Sequence, residues 1–115
     1  MGTVRGMGPE LLMLVNFTSG VFKTEKEMEL YQFRWSQVRD KYLPLLRENG
    51  LVRYAGMKVW NKQGKFRLGS YFAYRDEKAF VDCQKILNGI PQDEENPAIQ
   101  NADRGIVLLQ FNAGE

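Results

Sequence analysis

The 115 residues, 43% hydrophobic and 12% aromatic, match the usual size of one packed domain, and no Pro-, Gly- or Ser-rich linker divides them. Sixteen basic and 14 acidic residues leave a net charge of only +2, spread in alternation, which argues against the basic stripe of a nucleic-acid binder. Histidine is absent and Cys83 is the only cysteine. That excludes Ser-His-Asp and Cys-His nucleophiles, histidine general bases, histidine-ligated zinc or haem, and any intrachain disulfide.

Residues 1–9 are Gly-rich, end in Pro9, and read as a flexible lead to a single domain spanning 1–115. This lead lacks the apolar stretch of a signal peptide, and Gly6 stands where a myristoylation motif needs Ser or Thr. No window approaches the ~20 apolar residues of a membrane span, so a cytoplasmic protein without membrane attachment is expected. Leu11–Phe17 is a continuous apolar run closed by Ser19-Gly20, which suits a short buried strand. The Asn16-Phe17-Thr18 sequon lies inside that strand and not on a surface loop, so it is read as accidental.

Thr24 followed three residues later by Glu27 forms a capping box that opens a long helix. Met28, Tyr31, Trp35, Val38, Tyr42 and Leu45/Leu46 recur at steps of three and four, one apolar stripe, with Leu30 and Phe33 off it. Pro44 is expected to kink or restart the helix, and Asn49-Gly50 to end it in a left-handed cap. Leu51–Trp60 and Lys65–Tyr74 read as a hairpin of two strands about Asn61–Gly64. Asp76 is the expected N-cap of a second helix that buries Ala79, Phe80, Cys83, Ile86 and Leu87 and stops at Asn88–Pro91. Residues 91–104 are polar and read as a loop, and Gly105–Asn112 as a last strand.

The element order β-α-β-β-α-β implies an α+β, ferredoxin-like domain: a four-stranded antiparallel sheet with two helices on one face. Sorting each strand by alternation leaves most strands apolar on both faces, so the face without helices is too apolar to stay wet. A second copy of the chain is the simplest cover for it, and a homodimer through the sheet face is expected.

The long helix ending in Tyr42-Leu43-Pro44-Leu45-Leu46-Arg47-Glu48-Asn49-Gly50-Leu51, the hairpin, and Tyr71-Phe72-Ala73-Tyr74-Arg75-Asp76-Glu77-Lys78-Ala79-Phe80 resemble the dimeric α+β barrel superfamily over residues 10–112. That superfamily includes antibiotic-biosynthesis monooxygenases, haem-degrading monooxygenases, stress-responsive barrel proteins, isomerases and cyclases. The resemblance implies a dimeric barrel with a small-molecule pocket between each sheet and its helices. Asn16 stands where haem-degrading members place a functional asparagine. Their tryptophan and histidine have no counterpart, because the second helix offers Phe80, Cys83 and Ile86 and the chain has no histidine. Haem, other cofactors and metals are therefore not expected.

Asn16, Trp35, Tyr54, Trp60 and Tyr71 are the candidates to line a pocket for a small apolar or aromatic ligand. Arg53, Lys58 and Arg67, on adjacent strands, are candidates to bind an anion, against the simpler role of solvated edge charges. Cys83 reads as an inert core thiol. Oxygenation, isomerisation or cyclisation without a cofactor needs only an aromatic cavity with one or two polar groups, and a non-catalytic ligand-binding or regulatory barrel is the alternative. A remoter one is an RNA-recognition module, echoed by Leu12–Phe17 and Arg67–Tyr74. Met13 and Gly69 stand at its base-stacking positions, leaving only Tyr71 to stack.

Overall fold

Helix α1 (Glu25–Glu48) starts where the sequence sets its cap: the Glu27 amide donates to Thr24 Oγ1 at 3.1 Å. The Glu27 carboxylate reaches back one residue further than a standard capping box, accepting from the Lys23 amide at 3.2 Å. Pro44 does not break α1, which runs on to Glu48. The computed structural model describes residues 3–6, 13–61, 66–90 and 99–113. Among these, the chain order is β1 (Thr3–Gly6), β2 (Leu14–Phe22), α1, β3 (Leu51–Lys58), β4 (Phe66–Tyr74), α2 (Glu77–Asn88), β5 (Ile99–Ile106) and β6 (Leu109–Asn112). Strands β3-β4-β2-β5 form the antiparallel four-stranded sheet, and both helices cover one of its faces, as the ferredoxin-like order requires.

Four sequence expectations are corrected. Ser19-Gly20 do not close the first strand, because β2 pairs with β4 as far as Phe22↔Phe66 and a neighbour on each side supplies the ladder that glycine alone would not favour. The polar stretch expected as a loop contains β5, an edge strand whose exposed Asn101, Asp103 and Arg104 hide its periodicity; residues 91–98 lie outside the described part. The apolar run expected as one last strand is divided, with Gly105-Ile106 finishing β5 and Leu109–Asn112 forming β6. Strand β6 pairs antiparallel with β1 from Thr3↔Asn112 to Gly6↔Leu109, so part of the expected N-terminal lead is a strand in a separate two-stranded ribbon. Residues 11 and 12 of the expected first strand and most of the hairpin turn also lie outside the described residues.

The main core gathers at one end of the sheet, and Phe22 and Met28 are buried outside it. Leu46 from α1, Leu51, Phe72 and Tyr74 from the strands, and Ala79 and Cys83 from α2 are buried together. Phe72 stacks on Tyr74 at 6.2 Å, and Phe80 meets Tyr74 edge-on at 5.5 Å. A register slip between Leu51 and Arg53 turns Leu51 inward opposite Tyr74 and Arg53 outward opposite Ala73. Strict alternation would put those two on the same face, and the bulge is the reason it fails.

The end of α1 locks this core. Gly50 takes φ +107°, and its carbonyl accepts from the Arg75 amide at 2.9 Å. A Cβ there would overlap the Ala79 side chain. Asp76 caps α2 through the Ala79 amide at 2.8 Å. The buried Cys83 thiol donates to the Leu46 carbonyl at 3.4 Å, and burial pushes its pKa up.

Two outcomes follow. Gly50→Ala should lower unfolding free energy by about 2–4 kcal/mol, combining left-handed backbone strain with overpacking, and urea melts would read it. A loss below about 0.5 kcal/mol would mean the joint is not tight. Because the folded Cys83 thiol holds its proton longer than the unfolded one, its contribution to stability is intact below the ordinary thiol pKa of about 8.5 and declines above it. Melts at pH 7 to 9.5 should show that decline, and Cys83→Ala should flatten it.

Candidate functional site

Opposite residues of antiparallel strands share a face, so the register builds the helix-facing floor layer by layer. The first layer, Ile106–Leu14–Tyr74–Leu51, meets the core. The second is Arg104–Asn16–Phe72–Tyr54, and the third is Ala102–Thr18–Ser70–Gly56. Next come Gly20 and Leu68, then Phe22 and Phe66 at the far end. The third layer carries only small side chains, and Gly20 extends that gap along β2. Beneath the N-terminal half of α1 the gap becomes a cavity of about 50 Å³, lined by Thr18, Ser19, Gly20, Phe22, Tyr31, Leu68 and Ser70.

Two polar groups in the layers before this gap, neither of them in its lining, are unusual for an interior. Asn16 is 4% exposed, yet its Oδ1 has no hydrogen-bond partner. The Tyr74 hydroxyl is likewise buried and unpartnered, and burial drives its pKa far up. Buried polar groups without partners cost stability and are scarce in native proteins. On the roof, Trp35 Nε1 donates to the Tyr54 hydroxyl at 2.8 Å, holding α1 against β3. Tyr31 packs its ring on Phe22 at 5.2 Å, and burial raises the pKa of its phenol.

The sequence candidates divide by face. Trp35 and Tyr54 meet on the helix side, and Asn16 faces the same side across Phe72. Tyr71 lies on the opposite, open face with Arg53, where an open cleft of about 490 Å³ runs between the sheet and Val107–Phe111. Trp60 is 89% exposed and lines neither space. The proposed cationic trio does not assemble: Lys58 pairs with Leu68 on the helix side, whereas Arg53 and Arg67 project from the open face. The buried Nε of Arg67 has no partner. Among the described residues, no three of Cys, Asp and Glu converge as metal ligands would.

A family model described as a domain of unknown function (DUF6974) matches residues 12–107. The chain belongs to this family. No curated protein matches it. Among solved structures, a dimeric ferredoxin-like protein from an uncultured marine organism superposes with a TM-score of 0.76 at 19% identity, covering 84% of this chain and 96% of that one. A Nitrosomonas europaea protein named as a candidate antibiotic biosynthesis monooxygenase gives 0.62 at 16% identity, covering 90% of each chain. A cofactor-independent oxygenase from Streptomyces nogalater gives 0.53 at 13% identity, covering 91% of this chain and 99% of that one. These likenesses establish the ferredoxin-like fold.

Sequence reasoning missed Thr18, Gly20, Ser70 and Arg104. Small residues at alternate positions of β2 and β4 are the signal for the first three, visible only once the strand is allowed to run past Gly20. Arg104 was hidden because its strand was read as a loop.

Since Asn16 Oδ1 is unpartnered, Asn16→Leu should stabilise the ligand-free protein by about 1 kcal/mol in thermal or urea melts. Trp35→Phe removes a made hydrogen bond and should cost about 1 kcal/mol. Destabilisation by Asn16→Leu comparable to that of Trp35→Phe would show that the amide is satisfied after all.

Proposed function

We propose that the protein works as a homodimer in which the open sheet faces cover each other. Each protomer keeps its helix-side cavity for a small, planar, largely apolar molecule. The reading continues to cofactor-independent chemistry on that molecule: oxygenation, isomerisation or cyclisation. The observation that carries it is a floor of small residues beside a buried, unpartnered amide, because natural cores seldom leave both space and an unmet acceptor in one place.

The dimer is supported by the open face and ribbon. Val52, Met57, Leu109 and Phe111 are exposed, and Leu108 is 81% exposed. A two-stranded ribbon such as β1–β6 is marginal in water unless something packs on it. The superposed marine protein is itself named dimeric, and the Streptomyces nogalater relative is named a cofactor-independent oxygenase. A specific observation favours the non-catalytic alternative of ligand binding alone. The titratable group lining the cavity is the Tyr31 phenol, whose raised pKa makes it a poor base. In the catalytic reading the substrate must therefore supply its own acidic proton.

Light scattering should give twice the 13.3 kDa chain mass, and Tyr71→Asp on the open face should shift the protein toward monomer. Ligand-observed NMR with a set of one- and two-ring aromatics should find binders that Ser70→Leu, which fills the cavity, no longer retains. Binding that survives Ser70→Leu unchanged would sink the cavity reading. Oxygen uptake by the binders, with no metal or cofactor added, separates catalysis from binding.

A further inference from the structure

The second layer of the floor ends in a cation that the proposed chemistry does not use. Arg104 on β5 lies directly opposite Asn16 on β2, so the two side chains share the helix-facing side. The Arg104 guanidinium sits 5.1 Å over the ring of Phe80 on α2. Phe80 in turn meets Tyr74 edge-on, and the positive charge of Arg104 is close enough to Tyr74 to oppose the rise in its pKa. Among the described residues no carboxylate pairs with Arg104; its neighbour Asp103 lies opposite Phe17 on the other face. One corner between sheet and α2 thus holds an unpaired guanidinium, the unpartnered Asn16 Oδ1 and the unpartnered Tyr74 hydroxyl.

This arrangement differs from a plain surface arginine in two respects. The cation–π contact with Phe80 places the guanidinium against an aromatic wall. The two polar groups behind it are almost fully buried, 4% exposed for Asn16 and 0% for Tyr74. A neutral apolar ligand would leave all three unsatisfied. A ligand bearing one anionic group could pair with Arg104 at the edge and accept from the Tyr74 hydroxyl, while a hydroxyl on the same ligand donates to Asn16 Oδ1.

We infer that Arg104 is a ligand-binding residue and that the cavity's molecule is a small aromatic monoanion of the aryl carboxylate kind, its charge at Arg104 and its ring toward the small-residue floor. The inference rests on the helix-side cavity being the binding site and adds the charge that the site selects. It also replaces the expected trio of Arg53, Lys58 and Arg67 with a single cation on a different strand.

The test compares salicylate with salicylamide, which match in shape, both carry a hydroxyl that can donate, and differ in charge, and repeats the comparison with benzoate and benzamide, by amide-shift NMR titration of the full chain. In each pair wild type should bind the anion at least ten-fold more tightly, with shifts centred on residues 14–18 and 102–105 and weakening as salt rises. Arg104→Gln should bring the anion down to the level of its amide, and Arg104→Lys should keep part of the preference. Arg104 is exposed on an edge strand, so these variants should melt like wild type. Equal binding of anion and amide at that cavity would overturn the charge assignment while leaving the cavity reading standing. Binding of no probe, or anion preference that survives Arg104→Gln, would overturn the inference, and the first of these would count against the cavity as well.

Discussion

The helix side of this protein is organised from one joint, the contact of Gly50 with Ala79 where α1 ends and α2 lies across it. A left-handed glycine is required there because any side chain would meet Ala79. The same few residues are tied three more ways: the Arg75 amide to the Gly50 carbonyl, the Cys83 thiol to the Leu46 carbonyl, and the Asp76 side chain to the Ala79 amide. These links order the core around Leu46, Phe72 and Tyr74. They also determine where the core stops. Beyond Asn16 the next layer of the sheet holds only Thr18, Ser70 and Gly56, ahead of Leu68 and Phe22, and a space opens under the far half of α1.

The two faces of the sheet have unequal tasks. The helix side combines a small cavity with polar groups that lack partners. The open side is broad and apolar, interrupted by Arg53, Arg67 and Asp103, and is overhung by the segment leading to β6. Tyr71 belongs to that second surface, and so does the cleft it lines. Volume alone would nominate the larger cleft as the binding site, at about 490 Å³ against about 50 Å³. Chemistry points the other way, because a wide apolar surface is suited to a second protein surface, whereas a buried unmet acceptor is suited to a small molecule.

Much of the fold was legible in the chain. Thr24, Asp76 and Gly50 each act where their side chain, or its lack, demands a particular backbone, and such signals survive without tertiary context. Edge strand β5 was not legible, since a strand exposed along one border needs no apolar alternation. Ser19-Gly20 misled for the opposite reason: they look like a turn, but two flanking strands override local preference. Of the site, Asn16, Trp35 and Tyr54 were accessible because strand parity and helix spacing place them on the inner side. Trp60 was not, because aromatic character says nothing about which way a strand end turns. The small residues escaped notice because a cavity is defined by atoms that are missing.

Helix α1 is anchored near both of its ends, by Leu46 at the joint and by Met28 close to its N-terminus, both buried. Tyr31 lies between these anchors, fifteen positions or about 22 Å before Leu46. The Trp35–Tyr54 hydrogen bond adds a third tie between them. The roof of the cavity is thus a beam supported at both ends and not a hinged lid. Lifting it would expose Met28 to water, so the thickness of a guest is set by the Tyr31 side chain and the small residues of the floor.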